Sequence, residues 1–125
     1  MKRILPLLLC LLLSGCGGNA ADGSYHQIAQ EEAKEMMDTQ EVIILDVREQ
    51  DEYDSGHIPG AVLLPVGTID EDTAAAAIPE KDSMVLVYCR SGNRSKTASS
   101  KLAELGYTNI YEFGGINTWR YGTEP

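Results

Sequence analysis

The chain has 125 residues, of which 43% are hydrophobic, so it offers room for one globular domain and excludes an assembly of several. Ten Lys and Arg residues against 19 Asp and Glu residues give a formal net charge of -9 at pH 7. Because phosphate backbones would repel so acidic a chain, the charge argues against a nucleic-acid partner.

The first 15 residues have the pattern of a secretory signal peptide. Lys2 and Arg3 precede an apolar run over residues 4–13, and small residues follow. The run is too short for a membrane-spanning helix, which needs about 20 residues. Its end, Leu13-Ser14-Gly15-Cys16, resembles the bacterial lipobox, in which the signal is cut before a Cys that then carries lipid. The alternative is ordinary secretion with cleavage nearby, which would leave Cys16 as a free thiol.

These features divide the chain into three parts. Residues 1–15 are the predicted signal peptide, residues 16–24 are the lipidated Cys16 and a flexible tether, and residues 25–125 are the folded domain. Since each buried methylene adds about 0.8 kcal/mol, several acyl chains on Cys16 would anchor the protein firmly. We therefore predict a lipid anchor in the cell membrane, with the domain on the extracytoplasmic side, in the periplasm or at the cell surface.

Within the domain, short apolar runs alternate with helical patterns, which is typical of an α/β fold with a mostly parallel sheet. A first helix is predicted around Ala33 and Met36. Glu31 and Glu32 lie in its first turn, where the helix dipole favours acidic side chains, but no Ser or Thr caps it. The continuously apolar run 42–45 then predicts a strand covered on both faces.

The middle of the domain continues this alternation. Residues 62–64 predict a second short strand. Thr68 is a candidate cap for a following helix that holds Asp70 in its first turn and ends before Pro79.

The last part of the domain carries the strongest strand prediction, at residues 84–88. A helix stopped by Gly106 is predicted next, since Gly is typical just past a helix C-terminus. Residues 110–111 predict a last strand, and Gly114-Gly115 is predicted to turn the chain into a terminal helix bearing Trp119 as a core anchor.

Cys89 directly follows the strongest strand prediction and opens a loop that enters a helix. In open α/β sheets, sites form at the carboxyl ends of strands. A loop that enters a helix directs several backbone N–H groups to one point, and together with the helix dipole they bind anions. A thiolate at that point is stabilised, so Cys89 is predicted to be a nucleophile.

Basic residues cluster around this cysteine. Without Lys2 and Arg3, eight basic residues remain, and Arg90, Arg94 and Lys96 are three of them. Such clustering in an acidic chain indicates a local anion site. The alternative is a buried structural cysteine, which is the commoner fate of a lone Cys, but the loop and its charges favour the reactive role.

Four motifs place this loop in a wider pattern. They are LDVRE at 45–49, EYDSGHIPGA at 52–61, CRSGNRS at 89–95 and FGGINTW at 113–119. With all four in this order, residues 25–119 resemble the rhodanese family. The resemblance implies an α/β, three-layer, rhodanese-like fold with a five-stranded, mostly parallel sheet flanked by helices.

The resemblance also implies a reaction. Cys89 would take sulfane sulfur from a small anionic donor such as thiosulfate, become a persulfide and pass the sulfur to a thiol or cyanide, without a cofactor. Arg90 and Arg94 would hold the donor, and the loop amides would stabilise the persulfide. The implied substrate-binding residues are Arg90, Ser91, Gly92, Asn93, Arg94 and Ser95.

Two rival functions share this fold. The cell-cycle phosphatases have a His-Cys pair followed by five residues and then an Arg. In this chain Tyr88 precedes Cys89, and four residues separate Cys89 from Arg94. The shorter loop is better matched to one sulfur atom than to a phosphate. The second rival is a binding module that holds a sulfur carrier or partner protein without turnover, but such a module would not need the nucleophile.

Other polar residues are assigned structural roles. Asp46 and Arg48 resemble a family pair that braces the end of the sheet, and His57 lies in a turn where we expect it to serve backbone geometry. His26 has no Cys or carboxylate at ligand spacing, so no metal site is predicted. We expect the protein to be a monomer.

Overall fold

A five-stranded parallel sheet forms the centre of the computed structural model, which describes residues 24–125. The sheet has the order β1-β5-β4-β2-β3, and every pair of neighbouring strands is parallel. The strands are β1 His26–Gln27, β2 Ile43–Asp46, β3 Val62–Leu63, β4 Val85–Cys89 and β5 Ile110–Gly115. This confirms the predicted α/β class and strand number.

Between residues 24 and 125, four α-helices cover the two faces of the sheet. They are α1 Gln30–Thr39, α2 Gln50–Asp54, α3 Glu71–Ala77 and α4 Asn93–Glu104. Side chains alternate across a strand, so β4 contributes to both cores. Val85, Val87 and Cys89 join one hydrophobic cluster, which includes residues of α3 and α4, and Leu86 and Tyr88 join the other, which includes residues of α1. The three-layer prediction is therefore confirmed, and Cys89 faces the α4 side.

One predicted helix boundary is wrong. The cap of α3 is Asp70 rather than Thr68, because the Asp70 carboxylate accepts a hydrogen bond from the Thr73 backbone N–H at 2.8 Å. Thr68 instead ends a single 3₁₀ turn over Val66–Thr68, where its hydroxyl donates to the Pro65 carbonyl.

The predicted terminal helix is also wrong. Strand β5 continues through Gly114-Gly115, and only a 3₁₀ turn over Ile116–Thr118 follows before Trp119. Trp119 nevertheless packs against the core, with its ring 5.5 Å from that of Phe113. The first helix starts at Gln30 without a side-chain cap, as expected.

Residues 1–23 lie outside the described part of the chain. The predicted signal peptide, Cys16 and the tether up to residue 23 therefore fall where the structure gives no description. Between residues 24 and 125, no helix is long and apolar enough to cross a membrane. The same residues contain no cluster of three or more His, Cys, Asp or Glu side chains placed to bind a metal ion.

Candidate active site

Cys89 is the last residue of β4, and α4 begins four residues later at Asn93. The strand is buried along its whole length, and Cys89 itself is 1% exposed. Gly92 adopts φ +109°, a left-handed conformation that favours glycine, and thereby turns the chain from the strand into α4. This turn places the sulfur at the carboxyl end of the sheet and at the N-terminus of a helix, as the sequence predicted.

The sulfur lies at the focus of the loop. The Gly92 backbone N–H donates to Cys89 Sγ at 3.1 Å, and the Ser95 Oγ lies 3.4 Å from it. Burial raises the pKa of the Cys89 thiol, but the Ser95 hydroxyl and the backbone N–H groups of Ser95, Gly92 and Ser91 lower it by more. The net pKa lies below that of an ordinary cysteine, so Cys89 gives up its proton more readily than an ordinary thiol does.

The final strand supports the loop from behind. A Cβ on Gly115 would lie 2.0 Å from the Arg90 carbonyl oxygen, so only glycine fits where these backbones cross. The Asn117 backbone N–H donates to that same carbonyl at 3.1 Å. Gly115, the second glycine of the FGGINTW segment, is therefore required by this close approach, which holds the loop against β5.

Ser95 connects the sulfur to a buried acid. Its hydroxyl lies 2.5 Å from Glu112 Oε2, and both side chains are buried. The Gly114 backbone N–H donates to the same carboxylate oxygen at 2.9 Å. A chain of contacts thus runs from Cys89 through Ser95 to Glu112. One feature of the sequence could have indicated that Glu112 is buried: side chains alternate along a strand, which puts Glu112 on the same buried face as Ile110.

The two loop arginines have different surroundings. Arg94 makes a two-pronged ion pair with Glu52, with N–O distances of 2.7 and 3.0 Å. The hydrogen bonds from Arg94 lower the pKa of Glu52 to about 2, and the pair raises the pKa of Arg94. Arg90 is exposed, and its side chain forms no ion pair with any residue between 24 and 125. No sequence motif indicated that Glu52 would pair with Arg94.

A cavity opens beside the exposed arginine. It has a volume of about 340 Å³ and is lined by Arg48, Glu52, Ser55, Arg90, Ile116 and Asn117. Ser91 and Asn93 are exposed on the loop, whereas Gly92 and Ser95 are buried in it. The implied substrate-binding residues are therefore together in space, but only some of them present a side chain to solvent.

Asp46 and Arg48 form the ion pair that the sequence suggested. Arg48 contacts the Asp46 carboxylate at 2.7 and 2.9 Å and also donates to the Gly56 carbonyl at 2.8 Å. The Tyr88 hydroxyl donates to Asp46 at 2.6 Å and accepts from the Ile58 backbone N–H. Burial and this bond raise the pKa of Tyr88. The residue before Cys89 thus belongs to a network on the opposite face of the sheet.

The two histidines lie apart from the sulfur. The His57 ring stacks on Tyr53 at 3.7 Å, and its Nδ1 lies 3.0 Å from the Tyr53 carbonyl oxygen. Its backbone pairs with Glu124 in an isolated bridge. The ring of His26 stacks on Tyr111, across the β1–β5 pair. Both histidines therefore take part in packing and pairing within the fold.

Comparisons with known proteins agree on one family. The family model for the rhodanese-like domain matches residues 29–121. A thiosulfate sulfurtransferase from Coxiella burnetii is 36% identical over 97 residues, which covers 77% of this chain and 88% of that protein. A second thiosulfate sulfurtransferase, from Escherichia coli, is 38% identical over 72 residues, which covers 58% of this chain and 68% of the relative.

Solved structures show the same likeness. A structure of a rhodanese with anions from E. coli superimposes with a TM-score of 0.62 and 31% sequence identity. The match covers 67% of this chain and 98% of that structure.

Proposed function

This chain belongs to the rhodanese-like domain family, and on that premise we propose that it is a sulfurtransferase that carries sulfane sulfur as a persulfide on Cys89. The observation that carries the proposal is the position of Cys89 Sγ. It lies at the N-terminus of α4, 3.1 Å from the Gly92 backbone N–H, with a lowered pKa. A nucleophilic sulfur in such a cradle can hold a negative charge before and after it binds a second sulfur.

The reaction proceeds in two displacements. The Cys89 thiolate attacks the sulfane sulfur of thiosulfate, the S–S bond of the donor breaks, and sulfite leaves with the electron pair. The negative charge then lies on the outer sulfur of the persulfide, where the loop amides stabilise it. Cyanide or a thiolate attacks that outer sulfur and releases thiocyanate or a new persulfide, which regenerates the Cys89 thiolate.

The basic side chains of the loop, Arg90 and Arg94, recognise the anionic donor. Arg90 is exposed beside the 340 Å³ cavity and is free to approach an anion. Arg94 is paired with Glu52, so its contribution to a dianionic donor is reduced by the carboxylate beside it. Arg90 is therefore the first contact for the donor, and Arg94 supplies a positive potential that Glu52 moderates.

We also propose that lipid on Cys16 anchors the domain to the membrane on its extracytoplasmic side. The lipobox-like Leu13-Ser14-Gly15-Cys16 after a basic and apolar segment supports this location. Cells that express Cys16→Ala should lose the protein from the membrane fraction and lose labelling by a fatty-acid probe. Persistence of both would rule the anchor out.

Mass spectrometry of the Cys89 peptide tests the sulfurtransferase proposal. Treatment of the full chain with thiosulfate should add the mass of one sulfur atom to that peptide, and cyanide should remove it with formation of thiocyanate. An unchanged mass together with retained binding of a partner protein would favour a non-catalytic binding module instead.

A further inference from the structure

The Ser95 hydroxyl lies between two buried groups that can each carry a negative charge. Cys89 Sγ is 3.4 Å away on one side, and Glu112 Oε2 is 2.5 Å away on the other. Cys89 is 1% exposed, Ser95 0% and Glu112 3%, so solvent has little access to any of them. A hydroxyl has one proton and cannot donate to both neighbours at once.

Two arrangements satisfy these contacts. If Ser95 donates to a Glu112 carboxylate, its oxygen accepts the S–H of a Cys89 thiol. If Glu112 carries the proton and donates to Ser95, the hydroxyl turns and donates to a negatively charged sulfur. The arrangements differ only by the transfer of two protons along the chain, so the same heavy-atom positions serve both.

Within residues 24–125, neither Cys89 nor Glu112 forms an ion pair, although the charge of Arg94 acts on the sulfur from nearby. Glu112 forms no ion pair with any residue between 24 and 125, and Gln27 Nε2 reaches its second oxygen only at 3.4 Å. Arg94 is held by the Glu52 carboxylate. Two buried like charges on either side of one hydroxyl repel each other and cost free energy, which favours one charge at a time.

An irregularity in β5 directs the Glu112 side chain towards the Ser95 hydroxyl. Val87 is paired with Glu112, but Cys89, two residues on, is paired with Gly115, three residues on. This extra residue on β5 is a bulge, a feature that redirects side chains next to active sites. It also brings the Gly114 backbone N–H onto the Glu112 carboxylate.

We propose that Glu112 is a positioning residue that exchanges a proton with Cys89 through Ser95, so that this buried site holds a single negative charge. The proposal rests on the sulfurtransferase function above. In the resting protein the charge lies on Glu112 and Cys89 is a thiol. On attack, Cys89 gives its proton to Ser95 as Ser95 gives its own to Glu112, and the thiolate takes sulfur from thiosulfate while sulfite leaves. The charge then stays on the persulfide, with Glu112 protonated.

Other charged groups near Glu112 are at the surface or already engaged. Glu112 is one of the residues that line a cavity of about 470 Å³ beside β1 and the start of α1. The titratable or charged side chains that line this cavity with Glu112 are Glu31, Lys96, Arg120 and Tyr121. On β1, Gln27 is uncharged and His26 stacks on Tyr111, while Arg94 and Glu52 face the sulfur side as a pair. Of this set, Glu31 offers a matched control because it is an exposed glutamate on the same cavity.

Infrared difference spectroscopy of the full chain tests the proton transfer directly. Addition of thiosulfate should produce the carbonyl stretch of a newly protonated carboxyl group in the wild type. The band should be lost in Glu112→Gln and retained in Glu31→Gln. If Glu112→Gln does not fold, wild-type protein labelled with ¹³C at its Glu carboxyl groups replaces it, and the band should shift to lower frequency.

A second measurement follows the resting thiol. The alkylation rate of Cys89, quantified on its peptide, should rise with pH in the wild type as the thiol loses its proton. In Glu112→Gln the same rise should occur at lower pH, because no carboxylate at position 112 opposes the negative charge on the sulfur. A role of Glu112 in packing alone would leave the pH of the transition unchanged.

The outcomes separate this proposal from the one on which it rests. If thiosulfate leaves the mass of the Cys89 peptide unchanged, the sulfurtransferase function fails. If the peptide gains one sulfur atom but no protonated carboxyl appears, the function stands and the exchange with Glu112 is wrong. An identical alkylation profile in the wild type and Glu112→Gln would overturn the exchange as well.

Discussion

Two buried polar networks lie at the carboxyl ends of the neighbouring strands β2 and β4, and they are built on opposite principles. The first joins Asp46, Arg48 and Tyr88. Its carboxylate accepts from the Arg48 side chain, the Arg48 backbone N–H and the Tyr88 hydroxyl. Each charge in it has an opposite charge in contact, so one arrangement is strongly favoured and the network braces the sheet.

The second network joins Cys89, Ser95 and Glu112, and it contains no cation. The sulfur is held by backbone N–H groups, and the Ser95 proton has more than one acceptor within reach. Backbone dipoles stabilise an anion without neutralising it, so the sulfur keeps its nucleophilicity. The contrast teaches that a buried ion pair fixes structure, whereas an anion held by dipoles is left able to react.

Cys89→Ser should produce the largest effect on chemistry with the smallest effect on the fold. A serine hydroxyl keeps a hydrogen-bond acceptor for the Gly92 N–H, but an alkoxide is not accessible near neutral pH and cannot form the perthio species. Thiocyanate formation from thiosulfate and cyanide should fall to the uncatalysed rate, while the midpoint of thermal unfolding stays close to that of the wild type. Residual turnover in this variant would point to another nucleophile.

Asp46→Ala should have a large effect on the stability of the fold and little effect on the chemistry of Cys89, because it breaks the network of Asp46, Arg48 and Tyr88. It leaves Arg48 buried without its partner, so the free energy of unfolding should fall by about 3–5 kcal/mol, measured by urea titration. Asp38→Ala is the matched control, because Asp38 pairs with Lys34 at the surface and should cost at most about 1 kcal/mol. In the folded fraction of Asp46→Ala, the alkylation rate of Cys89 should be unchanged. A slowed rate would mean that the two networks are coupled.

The sequence predicted the framework of this comparison but not its second network. Apolar runs identified four strands, and the end of the strongest run placed Cys89. Strand β1 was missed because His26 and Gln27 form no apolar run and owe their conformation to pairing with β5. Helix α2 was missed as well, because its five residues are polar and none is buried.

The partners of the site depend on long-range register. Glu112 meets Ser95 only because of the bulge in β5, and a bulge has no marker in a strand pattern beyond the glycines that follow. Glu52 and Arg94 are 42 residues apart, so no local pattern joins them. Motif resemblance located the loop, whereas the acids that surround it became visible only in three dimensions.

Substitutions of Arg94 and of Glu52 should have opposite effects on donor binding, because the Glu52 carboxylate partly neutralises the charge of Arg94. Arg94→Ala should raise the KM for thiosulfate by about fivefold at most, because it removes a positive potential worth at most about 1 kcal/mol at a partly exposed site. Glu52→Gln should lower the KM, because it removes a negative charge beside an anionic donor. The measurement is steady-state kinetics at low salt. Equal KM values in all three proteins would show that backbone amides and Arg90 bind the donor without them.

The smallest expected effect is a pH dependence of stability that arises from the same ion pair. The pKa of Glu52 is lowered from 4.5 to about 2 in the folded protein, chiefly by hydrogen bonds from Arg94. A lowered folded-state pKa gives stability that is fully present above pH 4.5 and is lost as the pH falls through about 2. Because Glu52 is partly exposed, solvent screens the pair and the contribution is small.

Urea titrations at a series of pH values between 4.5 and 2 measure this contribution. The free energy of unfolding of the wild type should fall more steeply with acid than that of Glu52→Gln, so that the two curves converge. Glu80→Gln should follow the wild type, since Glu80 is exposed and forms no ion pair with residues 24–125. Parallel curves for the wild type and Glu52→Gln would mean that the pair serves the electrostatics of the loop without stabilising the fold. Convergence would show that even the charged rim of the Cys89 site shares in the bracing role that Asp46 and Arg48 hold on the other face of the sheet.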